Sequence, residues 1–149
     1  MVITMVIDVF DTLKNGTTIT AHRFADELTR RGHEVRIVAI GDPAQNRYAL
    51  KERHIPIVSA ISVKQGMCFA KPDDNVIREA LTGADVVHFF LPFQLERRAR
   101  KIAQKMGVPQ CAAFHLQPEN ITYNIRLRQK VVAKLIYKYF YFIFYRHFD

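Results

Sequence analysis

The chain has no tryptophan, only two cysteines, and six glycines that never assemble into Gly-x-Gly-x-x-Gly. Without that fingerprint a nicotinamide or flavin dehydrogenase is disfavoured, because its pyrophosphate needs close backbone approach at a strand-to-helix turn. Cys68 and Cys111 are far apart and lack a Cys-x-x-Cys or nearby histidine pattern. Neither a disulfide framework nor a metal site is expected, and a reducing cytosol fits. The apolar N-terminus has no basic leader and carries Asp8 and Asp11, so it does not read as a signal peptide. The Asn15-Gly16-Thr17 and Asn120-Ile121-Thr122 sequons are therefore expected to go unused.

What is present suits one α/β domain covering residues 1–149, with 49% apolar and 24% charged side chains. Val2 to Ile7 is a nearly continuous apolar run ending at Asp8, as in a strand buried on both faces of a parallel sheet. Ala21, Phe24, Ala25 and Leu28 then recur at helical spacing, with Asn15 or Thr17 as cap and Gly32 as stop. Glu34 to Ile40 reads as a second strand. Pro43 opens a short helix to about Arg53, Ile55 to Ser59 is an edge strand, and residues 60 to 72 are loop. A helix capped by Asp73 or Asp74, a strand from Asp85 to Phe90, a helix from Gln94 to Met106 and a strand from Pro109 to Phe114 complete five alternating units. A Rossmann-like doubly wound parallel sheet accounts for this order most economically.

The end of the chain differs. Residues 1 to 120 hold 16 basic against 13 acidic side chains, whereas residues 121 to 149 hold 6 against 1. From Asn124 to Arg146 there is no glycine or proline, and one long amphipathic helix is expected. Arg126, Lys130, Lys134 and Lys138 follow one another at i, i+4 on one stripe, opposite Ile125, Val132, Ile136, Tyr139 and Ile143. The run Tyr139 to Tyr145 is aromatic all round and too short for a bilayer span, which needs about 20 apolar residues. Two readings stay open: an interfacial helix on an anionic membrane, or a helix packed against the sheet whose aromatics cover buried surface. Nucleic-acid binding would rest on charge alone and is not expected.

Several motifs sit where chemistry belongs. Asp8 to Thr18 leads from the first strand to the first helix, and the helix start with Gly16 can hold a phosphate or a sugar hydroxyl, or be an ordinary turn. His88 lies in a strand and reads either as a ligand or as a core histidine. Arg97, Arg98, Arg100, Lys101 and Lys105 read as a solvated outer helix face. His115 follows the strand Pro109 to Phe114, past the carboxyl end of the sheet, where side chains enter the crevice. Gln117, Glu119 and Asn120 follow it as hydrogen-bonding groups, and Glu119 could orient His115.

Gln110 to Thr122, Asp85 to Phe93 and Arg30 to Val35 together resemble the N-terminal, acceptor-side domain of a family 4 glycosyltransferase of the GT-B fold, close to bacterial lipid- or polysaccharide-directed members. The resemblance covers essentially all 149 residues. It implies a retaining, metal-free transfer from a UDP- or GDP-linked sugar, a co-substrate rather than a cofactor, to a lipid, lipid-linked or polysaccharide acceptor. His115 would contact the transferred sugar. Asn15, Gly16 and Thr17 stand where the family has a glycine-bearing cleft loop, and with His88, Gln117, Glu119 and Asn120 they would bind substrate. The family's second Rossmann-like domain holds the nucleotide-sugar, usually through two glutamates separated by seven residues, and no Glu-x7-Glu occurs here. The expectation is one half of the architecture, ending before its final strand, inactive alone, cytoplasmic and peripherally membrane-associated. The alternative role is a non-catalytic acceptor-binding or scaffolding half that recruits a separate catalytic subunit.

Overall fold

The computed structural model describes residues 1–53, 68–115 and 130–148. Along the chain lie β1 (Val2–Val9), α1 (Gly16–Arg30), β2 (Glu34–Ile40), β3 (Arg47–Leu50), α2 (Asp74–Leu81), β4 (Val86–Phe89), α3 (Gln94–Met106), β5 (Gln110–Ala112) and α4 (Lys130–Ile143), followed by a 3-10 turn at Tyr145–His147. The sheet is parallel throughout, in the order β3-β2-β1-β4-β5. Strand order reverses at β1, which puts the crevice of an open α/β sheet between the loops that leave β1 and β4.

Register decides which side chains meet. Met5 lies opposite Ile37 and His88, so this set shares one face. On that face Met5, Ile7, Val35, Ile37, Ala39 and Phe90 form a core with Ala21 of α1. Val6, Val38, Val87 and Phe89 face the other way and pack with Ile77 of α2, Leu95 and Ala99 of α3, and Phe144. Both faces of the sheet are thus covered, as a parallel sheet requires.

The expected helix from Pro43 to Arg53 is replaced by a strand. Asn46 turns the chain with a φ of 58°, a conformation asparagine tolerates, and Ile37 N–H bonds its carbonyl at 2.8 Å. Arg47 to Leu50 then pair with Ile37 to Ile40. Most parallel crossovers need a dozen residues or more, but this turn brings the chain back in six, and pairing with an open sheet edge outweighs the helix signal of Pro43. The proposed strand Ile55 to Ser59 lies outside the described residues, as do residues 60–67 of the loop.

The C-terminal helix stops before Arg146. Phe144 leaves helical geometry at φ −138°, ψ −66°. Its ring is fully buried, edge-on to Phe89 at 5.7 Å, and Phe148 also reaches Phe89, at 5.9 Å. Bringing both rings to the sheet breaks the helix. Tyr139, expected on the apolar stripe, is exposed, and Ala133 and Phe140 occupy the buried face instead. The part of the expected helix before Lys130, with Arg126 and Ile125, lies outside the described residues.

Candidate functional site

Asn15 builds the start of α1. Its side-chain oxygen accepts from Thr18 N–H at 3.0 Å, and its carbonyl accepts from Thr18 Oγ1 at 2.9 Å and Ile19 N–H at 3.1 Å. Gly16 and Thr17 are the first two helical residues, whose N–H groups have no partner within a helix. A Cβ at Gly16 would meet nothing within 4 Å, so the space over this turn is open. The preceding loop is pinned from the β2–β3 side. Arg47 pairs with Asp11 at 2.5 Å and lies over the Phe10 ring at 4.9 Å, while Asp11 Oδ2 sits where a Cβ at Gly41 would be, at 2.5 Å. His22 stacks on Phe10 at 4.0 Å and bonds its carbonyl at 2.7 Å, which requires the proton on Nε2.

Two histidines gather around Phe90. His88 meets that ring edge-on at 4.6 Å, and His115 stacks on it at 5.3 Å. Phe24 of α1 covers His88 with a stacked ring at 5.7 Å and stays 47% exposed, so it is a lid on the histidine rather than the core residue its spacing suggests. Burial, with His115 as a neighbouring charge, pushes the His88 imidazole down to about 4, and burial also lowers His115. Both rings are therefore neutral at physiological pH. The Nε2 atoms of both are buried without a hydrogen-bond partner. Each neutral Nε2 thus keeps a single donor or acceptor capacity that no described group satisfies.

His88 Nδ1 lies 3.2 Å from Cys111 Sγ. This is not an activated thiol–imidazole couple. Burial raises the Cys111 thiol while the imidazole is depressed, so proton transfer to a thiolate–imidazolium pair is disfavoured. The contact instead fixes the His88 ring and leaves Nε2 as its free end.

Behind the crevice, Asp8 of β1 and Glu96 of α3 meet in the core, at 2% and 0% exposure. Asp8 Oδ1 accepts from Ala70 N–H at 2.7 Å. Asp8 Oδ2 and both Glu96 oxygens find no donor of good geometry. A proton shared between the two carboxyls satisfies Asp8 Oδ2 and one of the Glu96 oxygens. Burial dominates their titration: Asp8 is pushed up to about 7, and Glu96 well above its usual range by burial and by Asp8. Asp8 ends the apolar run of the first strand, and Glu96 falls on the apolar stripe of its helix with Ala99 and Ala103. Their meeting is a tertiary fact that neither segment displays alone.

Of the other expected site residues, Gln117, Glu119, Asn120 and Arg126 lie outside the described residues. Lys130 is the first residue of α4. Lys134 and Lys138 are exposed and, with Phe114, Tyr137, Tyr141 and Tyr145, line a groove of about 530 Å³. Arg100 departs from the expected solvated face. It is 7% exposed, with its Nε buried and unpartnered. Among the described residues, no cluster of three or more His, Cys, Asp or Glu is placed to hold a metal ion, and no helix is long and apolar enough to cross a membrane.

No curated protein matches the sequence. The description Glycosyltransferase Family 4 matches residues 14–149, a span that takes in the capped start of α1, both histidines and the C-terminal helix. With its five-stranded parallel sheet wrapped by helices, the chain belongs to glycosyltransferase family 4.

Proposed function

We propose that this domain is the acceptor side of a retaining glycosyltransferase working on a lipid or lipid-linked acceptor at a membrane surface, with a UDP- or GDP-linked donor sugar held by a second Rossmann-like unit of the GT-B pair. The observation that carries the catalytic part is the pair of neutral histidines around Phe90, each with an unpartnered Nε2. In glycosyl transfer the anomeric carbon gathers positive charge. An imidazolium beside it would raise the barrier, whereas a neutral ring can bond a sugar hydroxyl without opposing that charge. His115, just past β5, contacts the transferred sugar in this reading. His88 supports it, and the open helix start at Asn15, Gly16 and Thr17 receives a hydroxyl or phosphate oxygen. Gln117, Glu119 and Asn120 supply further hydrogen bonds.

Membrane association draws support from α4. Val131, Leu135, Tyr139 and Phe142 are all exposed and recur on one side of the helix, beside Lys134 and Lys138. The buried side of the helix is the opposite one, through Ala133 and Phe140, whose ring meets Phe93 at 6.4 Å, so burial does not account for this apolar stripe. Apolar insertion flanked by cations is the arrangement of an interfacial helix.

Co-sedimentation with vesicles tests this directly. The chain is expected to bind phosphatidylglycerol-containing vesicles and to release as salt rises. Lys134→Glu with Lys138→Glu is expected to weaken binding at least tenfold, and Leu135→Ser with Phe142→Ser comparably. Absent binding, or binding indifferent to both pairs of changes, would reject the membrane reading.

A further inference from the structure

A second concave site lies on the α2–α3 face of the sheet, away from the histidines. Arg53, Lys71, Pro72, Asp74, Gln94, Arg97, Arg98 and Lys101 enclose a groove of about 820 Å³. Five of these eight side chains are cationic and one is acidic. They come from three separate stretches: the exit of β3, the approach to α2, and one face of α3, where positions 94, 97, 98 and 101 align. The groove opens where α2 and α3 begin, at the carboxyl edge of the sheet.

The acid does not neutralise the groove. Asp74 is held bidentately by Arg98, Nε to Oδ1 at 2.7 Å and Nη2 to Oδ2 at 2.5 Å. Arg53 is anchored through Nη1 to the Gln94 side-chain oxygen, a contact that leaves its positive charge in place. Lys71, Arg97 and Lys101 add three more charges around the same hollow. The surroundings are positive as well. Arg100 is lowered by burial and then by Arg146 and Arg97, and His147 by burial and then by Arg100, Arg146 and Lys101. A solvated helix face would intersperse both signs. Here like charges converge on a concave surface, which focuses the positive potential at its centre.

We propose that this groove binds a phosphoryl group. Guanidinium forks match phosphate oxygens in pairs and lysines add point charges, so Arg53, Arg97, Lys71 and Lys101 together suit a dianionic or diphosphate group better than a lone carboxylate. The volume leaves room for whatever carries the phosphate. The site stands on its own residues and does not depend on the transferase assignment. The phosphate could belong to a glycerophospholipid headgroup or to a soluble phosphate compound.

Calorimetry on the intact chain tests the proposal with inorganic pyrophosphate and with monomeric dihexanoyl phosphatidic acid, a phosphomonoester lipid too short to engage α4 through a bilayer. At least one is expected to bind, and Arg97→Gln with Lys101→Gln is expected to weaken it at least tenfold. Arg23→Gln with Arg30→Gln, an equal charge loss on α1, is expected to change affinity less than twofold. Tighter binding of the lipid assigns the site to a headgroup, and tighter binding of pyrophosphate to a soluble ligand. No binding of either at millimolar concentration, or equal weakening by both variant pairs, would overturn it. Circular dichroism and melting of the variants separate lost binding from lost folding.

Discussion

Replacing His115 by alanine is expected to slow sugar transfer by about 30- to 1,000-fold, the equivalent of about 2–4 kcal/mol for a preorganised polar group acting on the transition state. The measurement needs the domain working with its donor-binding half, and it should read kcat and KM separately. A contact made to the transferring sugar lowers kcat more than it raises acceptor KM. His115 also stacks on Phe90, so a second variant separates hydrogen bonding from packing. His115→Phe keeps a ring there and removes Nε2. It is expected to be as slow as the alanine variant, and activity within a few-fold of the parent in His115→Phe would reduce His115 to a packing residue.

Raising the pH above about 6.5 is expected to destabilise the fold, and Glu96→Gln, which leaves the burial of Asp8 in place, is expected to make that loss shallower. The sign follows from proton counts. Asp8 titrates at about 7 when folded against an ordinary 3.8, so between those values the folded state holds more protons than the unfolded chain. Stability then falls as pH rises. His88 acts in the opposite direction. Its folded value of about 4 lies below the ordinary 6.5, so the unfolded chain holds more protons between them and stability rises with pH. The two slopes oppose each other up to about 6.5. Above that His88 no longer contributes and the carboxyl pair lowers stability by up to about 1.4 kcal/mol per pH unit for each proton released, Glu96 carrying the effect further alkaline, where the raised thiols of Cys68 and Cys111 add loss of the same sign. Glutamine at 96 removes one acid and offers an N–H to Asp8. Urea midpoints from pH 5 to 9 measure this, and a parent curve that is flat above 6.5, or a variant that declines as steeply, would refute the shared-proton account.

Legibility in the sequence followed how local each signal was. The Asn15 cap, the helix over Gln94 to Met106 with its Gly107 stop, and the apolar strands β1, β2 and β4 are written in a few adjacent residues, and the fold class came with them. Strand β3 was not readable, because Arg47 to Leu50 become a strand only by pairing with β2. Phe24 and Tyr139 obeyed the helical period but face outward, one recruited by His88 and the other displaced by Phe140. Arg100 broke a charge pattern that was right for its neighbours Arg98 and Lys101. At the candidate site, His88 was visible from its place within a strand and His115 from its place just past one. That they share one aromatic ring, and are both kept neutral, depends on strand register and burial that no single segment encodes.

The most direct test of the acceptor-side assignment is calorimetry of the parent chain and of His115→Ala, each against UDP- and GDP-sugars and against a lipid-linked acceptor presented in bicelles. The acceptor is expected to bind the parent and to bind His115→Ala more weakly, while neither nucleotide-sugar gives measurable heat. Micromolar affinity for a nucleotide-sugar, together with acceptor binding that is absent or unaffected by the loss of His115, would contradict it.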